Sequence, residues 1–311
     1  MTAPGRRRPR ALRPGNLIGV CAPAGVVDGE RLERGTAELR GLGFEVRVTE
    51  GTLDRLRFSA GTAERRRSEL EALFADPDVA GIVCARGGAG SAALLPRLPA
   101  AALREQAKVF VGYSDITFLH LFLGGLGLVT MHGPMVAGQL AEGTYDRTSL
   151  IHALTGEGEP YRSEAGDLLT LRPGTGEGVL RGGCLSILAA AAGTSWALRP
   201  DPEGTILFIE DVNERPFRIE RMLFQLRESG ALDHVRGIVF GDMKGCAPKA
   251  DEEYELDDVL LQSLEGLDVP IAIGLSSGHT STAAVTVPFG VRARLLASDD
   301  PRLEVLEPAV E

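Results

Sequence analysis

Four stretches of this sequence set a nucleophilic, basic or acidic side chain at or just past the end of an apolar run. The first is Lys-Val-Phe-Val-Gly-Tyr-Ser-Asp-Ile-Thr, residues 108–117. A β-rich run stops at Gly112–Tyr113, and a helical pattern begins after Ser114. A serine at such a strand-to-helix turn presents its Oγ above a sheet, and the helix start offers the Asp115 N–H to developing negative charge. The plainer reading is that Ser114 caps the helix; the segment alone leaves both open.

The second stretch is Ala85–Arg86–Gly87–Gly88–Ala89–Gly90–Ser91. Glycines directly after a buried strand let backbone N–H groups approach an oxyanion or ligand closely. The spelling departs from G-x-G-x-x-G and lacks the lysine of a P-loop, so an oxyanion donor, a phosphate cradle and a simple tight turn all remain open. Arg86 suits a bidentate pair with a substrate carboxylate, or a structural ion pair. The third is Ile-Leu-Phe-Ile-Glu-Asp-Val, where Glu210 and Asp211 follow an apolar strand. An acid there can orient an imidazole or face solvent. The fourth is Ser276–Ser277–Gly278–His279–Thr280, which follows the apolar run Ile271–Gly274. His279 is the histidine best placed to act as a general base near neutral pH. His120 lies on a helical pattern, His132 precedes Gly133–Pro134, and His234 reads as a surface residue.

These loops need a scaffold, and the pattern supplies one. Leu17–Ala22, Phe44–Val48, Gly81–Cys84 and Lys108–Tyr113 read as strands. Between them Glu30–Leu42 and Thr62–Phe74 carry apolar residues at helical offsets, with Thr62 as a cap, and Ile116–Leu123 is an apolar helix. Strand and helix in alternation imply an α/β fold with a parallel sheet, whose sites lie at the carboxyl ends of strands. The pattern predicts a basic, disordered tail over 1–15, an N-terminal domain over 16–140, a linker over 141–177 and a C-terminal domain over 178–311. In the last, Leu185–Ala192 and Phe217–Leu226 read as helices, and Thr205–Ile209, Gly237–Phe240, Ile271–Gly274, Val285–Val287 and Ala293–Leu296 as strands.

Composition narrows the function classes. The 311 residues are 44% hydrophobic and 24% charged with a formal charge of −10, which disfavours nucleic acid or an anionic membrane as a general partner. No apolar stretch reaches the roughly 18–20 residues of a membrane span. Arg6–Arg8 is not followed by the apolar core of a secretory signal. Cys21, Cys84, Cys184 and Cys246 lie far apart, which suits reduced, buried thiols and a cytoplasmic location. The histidines show no metal-ligand spacing, so neither metal nor cofactor is expected.

Taken together, Ala85–Gly88, Gly112–Asp115, His132–Pro134, Glu210–Val212 and Gly278–His279 resemble the LD-carboxypeptidase family of serine peptidases, which also contains the microcin C immunity peptidases. The motifs occur in the family's order along nearly the whole chain. The resemblance implies a flavodoxin-like N-terminal domain, a smaller β-rich C-terminal domain and a homodimer. It implies a triad in which Ser114 attacks, His279 serves as base and then acid, and Glu210 orients the imidazole. The oxyanion donors would be the N–H groups of Asp115 and of Gly87 or Gly88. The substrate implied is a muropeptide tetrapeptide losing its C-terminal D-alanine, with Arg86 holding a substrate carboxylate. Many members carry an asparagine where this chain has Ala283–Ala284. Two alternatives stand beside this reading: an immunity-type peptidase cleaving aminoacyl-nucleotide antibiotics, with Trp196 stacking a base, and a non-catalytic small-ligand binding protein.

Overall fold

The computed structural model describes residues 5–163 and 166–311. The chain forms two compact units. The first runs to Glu159 and takes back Ala283–Gly290 and Pro308–Glu311; the second holds Pro160–Thr282 and Val291–Glu307.

In the first unit the elements are β1 (Leu17–Cys21), α1 (Gly29–Gly41), β2 (Glu45–Val48), α2 (Ala63–Ala75), β3 (Val79–Cys84), α3 (Ala100–Glu105), β4 (Val109–Gly112), α4 (Thr117–Gly125), β5 (Thr130–His132) and α5 (Arg147–Thr155). The strands β1 to β5 pair in parallel in the order β2-β1-β3-β4-β5. This is the flavodoxin-like order. Every residue of β4 is buried, as is all of β3 but Ala80, the near-continuous apolar signature of a sheet covered on both faces. The order of strands reverses between β1 and β3. Loops leaving the carboxyl ends of those two strands part there and open a crevice. The loop 22–28 and the glycine-rich turn 85–91 are those loops. Thr62 caps α2 by accepting from the Arg65 N–H at 3.1 Å.

The second unit contains β6 (Leu169–Arg172), β7 (Gly174–Cys184), α6 (Leu185–Ala191), β8 (Thr205–Glu210), α7 (Pro216–Glu228), β9 (Val235–Gly241), α8 (Leu256–Ser263) and β10 (Ile271–Leu275). The chain then supplies β11 (Val287–Phe289) to the first sheet, antiparallel to β5, and returns with β12 (Arg292–Ala297) and β13 (Arg302–Val305). The second sheet runs β13-β12-β7-β8-β9-β10-β6. Its middle, β7 to β10, is parallel, while β6, β12 and β13 are antiparallel additions. β8 is buried at all six positions, and Ile219, Leu223 and Leu226 of α7 are fully covered.

Three features depart from the sequence reading. The basic stretch is not a free tail over its described part: Arg7 pairs by backbone with Gly127 and Val129, Leu12 is 2% exposed, and its N–H donates to Leu154. Main-chain pairing and one buried leucine outweigh the charge of the arginines, which line a cavity of about 900 Å³ with Lys108 and Glu105. The segment read as a linker holds α5 and β6; its Gly, Glu and Thr content hides an edge strand whose Leu169 stays 66% exposed. Residues 283–290, read as C-terminal domain, complete the first unit's sheet. Antiparallel pairing to β5 decides this, a long-range contact that local pattern does not encode.

Candidate active site

Ser114 stands directly after β4 and Tyr113, and opens a 3₁₀ turn that runs into α4. Its φ is +65°, in the left-handed region that costs an L-residue roughly 1–2 kcal/mol. A helix-capping serine has extended backbone; Ser114 does not, so the capping reading fails. Strain at a strand-to-helix turn is the geometry of a nucleophile elbow. Gly87 lies against it: a Cβ there would sit 2.8 Å from Ser114 Cβ and 3.0 Å from its Oγ. Only glycine admits this approach. Gly88 is left-handed at φ +102°, and Gly25 donates to the Gly87 carbonyl at 2.9 Å. The turn and the serine therefore form one packed cluster at the crevice between β1 and β3.

The cluster rests on a buried network that motif reading missed. The Asp115 carboxylate accepts from the Ser91 N–H at 2.9 Å, and Ser91 Oγ donates to the Asp115 carbonyl at 2.6 Å. Arg66 of α2, 5% exposed, donates from Nη1 to the Pro23 carbonyl at 2.6 Å and the Gly90 carbonyl at 2.8 Å. Burial raises the Asp115 carboxyl above the usual range, against the Ser91 hydrogen bonds and the Arg66 charge. Arg66 thus ties the loop after β1 to the glycine-rich turn beside the elbow. Its sequence neighbours, Arg65 and Arg67, are ordinary helix-surface cations, which is why it did not stand out. Arg86 is exposed and donates to the Val26 carbonyl at 2.8 Å, so part of its guanidinium serves the loop.

In the second unit Glu210 ends β8 and is completely buried. Its Oε2 accepts from the His279 backbone N–H at 3.0 Å and from His279 Nδ1 at 2.8 Å. A carboxylate only accepts, so Nδ1 carries the proton and Nε2 keeps its lone pair. Burial disfavours the imidazolium, but the hydrogen bond to Glu210 and the charges of Glu210 and Asp211 outweigh it and raise the His279 pKa above the ordinary value. Gly241 on β9 makes room for the acid, since a Cβ there would lie 2.8 Å from Glu210 Cβ. Asp211 instead accepts from the Ser186 N–H at 2.7 Å at the start of α6, and burial raises its carboxyl.

The histidine loop is held from the end of β9. Asp242 accepts from Thr280 Oγ1 at 2.8 Å and from the Ser281 N–H at 2.7 Å, and Lys244 Nζ donates to the Thr280 carbonyl at 3.3 Å. Asp242 escaped the motif reading, although an acid at the end of the strand beside β8 was the available signal. His120 is a packed core histidine: Nε2 donates to the Gly112 carbonyl and Nδ1 accepts from Thr130, both at 2.8 Å, and burial pulls its pKa to about 3. The four cysteines are unpaired with one another and buried. Among the described residues no group of His, Cys, Asp and Glu could hold a metal ion, and no helix is long and apolar enough to cross a membrane.

The first unit thus carries a strained serine beside backbone donors, and the second an imidazole on a buried carboxylate. Comparison with known proteins matches both units to one family. The LD-carboxypeptidase N-terminal domain pattern matches residues 18–133, and the C-terminal domain pattern matches residues 177–295. The murein tetrapeptide carboxypeptidase of Pseudomonas aeruginosa is 30% identical over 275 residues, covering 84% of this chain and 87% of that protein. The microcin C7 self-immunity protein MccF of Escherichia coli is 31% identical over 311 residues, covering 87% of each. The crystal structure of muramoyltetrapeptide carboxypeptidase from Oxalobacter formigenes superposes with a TM-score of 0.82 at 31% identity, over 94% of this chain and 99% of that one.

Proposed function

The chain belongs to the LD-carboxypeptidase family and is a serine-type carboxypeptidase; on that premise we propose that it removes the C-terminal D-alanine from muropeptide tetrapeptides through Ser114, His279 and Glu210. The observation that carries the mechanism is the imidazole seated on a buried carboxylate, Nδ1 to Oε2 at 2.8 Å. That bond puts the ring proton on Nδ1, so the basic nitrogen is Nε2, which takes the Ser114 hydroxyl proton as Oγ attacks the scissile carbonyl. The tetrahedral oxyanion is received by the N–H of Asp115 and of Gly87 or Gly88. Collapse expels the D-alanine amine, which takes the proton from His279. Water, deprotonated by the same imidazole, then hydrolyses the acyl-enzyme.

Arg86 holds a carboxylate of the substrate with the part of its guanidinium not engaged by Val26. In this reading the enzyme is cytoplasmic and homodimeric, and sedimentation of the purified chain as a monomer would remove the second statement. The test of the reaction is release of D-alanine from a synthetic tetrapeptide, with mass spectrometry of fluorophosphonate-treated protein to find the labelled residue. Release with labelling at Ser114 is expected; a tetrapeptide left intact would overturn the proposal.

A second reading is favoured by the 31% identity to the immunity protein: cleavage of an aminoacyl-nucleotide antibiotic by the same machinery. Incubation with an aminoacyl-sulfamoyl adenosine separates the two, since a tetrapeptidase leaves that amide uncut.

A further inference from the structure

Residues Leu56–Ser59 form a tight turn in the first unit that displays apolar surface instead of hiding it. The Leu56 N–H donates to the Ser59 carbonyl at 3.0 Å, the Ser59 N–H returns the bond at 3.1 Å, and Ser59 Oγ adds a third at 3.1 Å. Arg57 at the tip has φ +57°, a conformation such turns normally give to glycine or asparagine. Phe58 beside it is 66% exposed, and Leu53 and Leu56 are 52% and 45% exposed. Three large apolar side chains left exposed within one short segment mark a contact surface.

The turn's position says what the contact is. Phe58 accepts from the Val26 N–H at 3.3 Å, and the Ala60 N–H donates to Ala24 at 3.0 Å. On its other side the same 24–26 segment meets the glycine-rich turn, through Gly25 to the Gly87 carbonyl at 2.9 Å and Arg86 to the Val26 carbonyl at 2.8 Å. Gly87 in turn touches Ser114. Three backbone segments therefore lie edge to edge, and adjacent extended segments are about 4.8 Å apart, so Phe58 stands roughly 10 Å from the turn that packs on Ser114. Extended peptide covers about 3.3 Å per residue. The three residues on the acyl side of a tetrapeptide's last bond span that same distance.

We propose that Phe58 forms the wall of a carbohydrate subsite, on which the pyranose ring of a glycan-bearing muropeptide stacks while its last peptide bond lies at Ser114. This rests on the tetrapeptide reading above. The C–H face of a pyranose is apolar and its rim carries hydroxyls. An exposed aromatic ring in the same exposed segment as Arg55 and Arg57 offers matching surface and donors.

The test compares kcat/KM for a free tetrapeptide and for the same tetrapeptide on N-acetylmuramic acid, in wild type, Phe58→Ala and Phe58→Trp. Wild type favours the glycan-bearing substrate about tenfold. Phe58→Ala loses that preference through KM, keeps the free tetrapeptide within about twofold, which also reports that it folds, and Phe58→Trp retains the preference. Equal rates on both substrates in wild type, or parallel losses on both in Phe58→Ala, would overturn the subsite while leaving the carboxypeptidase standing. A Phe58→Ala change in oligomeric state with unchanged preference would overturn it in favour of a second copy of the chain as occupant. Hydrolysis of neither substrate would remove the reaction and the subsite together.

Discussion

One oxygen of Glu210, Oε2, takes both the backbone N–H and the ring Nδ1 of His279, at 3.0 and 2.8 Å. The acid therefore fixes the position of the residue as well as the tautomer of its ring. Replacing Glu210 touches placement, proton and charge at once.

For Glu210→Gln we expect kcat to fall by about 10³–10⁴, with a shift in the pH profile. The base works only when neutral. In the wild type Glu210 and Asp211 raise the His279 pKa despite burial, so the acid limb of kcat/KM lies above the ordinary imidazole value of about 6.5. Without the Glu210 charge, burial pulls the pKa down, and the limb moves to lower pH. A limb that stays in place in the variant would show that another group titrates there.

The left-handed backbone of Ser114 predicts a split between activity and stability. Both Ser114→Ala and Ser114→Gly lose more than about 10³ in turnover. The glycine variant, relieved of the strain at φ +65°, outstrips the alanine variant in stability by about 1 kcal/mol. Thermal or denaturant unfolding of the pair reads this directly.

At Gly87 the cost of an added methyl falls on chemistry. The new Cβ would press on Ser114 Oγ at 3.0 Å, so Gly87→Ala lowers kcat by about 10² and slows fluorophosphonate labelling, with circular dichroism unchanged. Gly88→Ala adds a backbone cost, because φ there is +102° and Gly25 Cα lies 3.1 Å from the added carbon; its melting temperature drops as well.

Arg66→Met leaves the Pro23 and Gly90 carbonyls without their buried donor and the Asp115 carboxylate without the nearby positive charge. Removing one partner of such a network costs about 3 kcal/mol, visible in urea unfolding. Asp115, whose carboxyl burial already raises, then takes up a proton more readily. Activity of the variant should consequently weaken as pH falls, in a range where the wild type holds steady.

The local code was enough for much of this molecule. Alternating apolar runs and helical offsets identified the parallel sheet, and strand-end glycines identified the turns at Gly87 and Ser114, because those are properties of neighbouring residues. The motifs also named Glu210 and His279, which lie 69 positions apart, but not the shared oxygen that joins them. Pairing of β11 with β5, the anchoring of Arg7 and Leu12, and the recruitment of Arg66 and Asp242 belong to tertiary structure alone. Each depends on which distant backbone groups remain unsatisfied once the sheets have formed, and a buried carbonyl or carboxylate takes its donor from whatever the fold brings near. Sequence determined the elements and the chemistry at their ends; packing decided which of those ends hold one another in place.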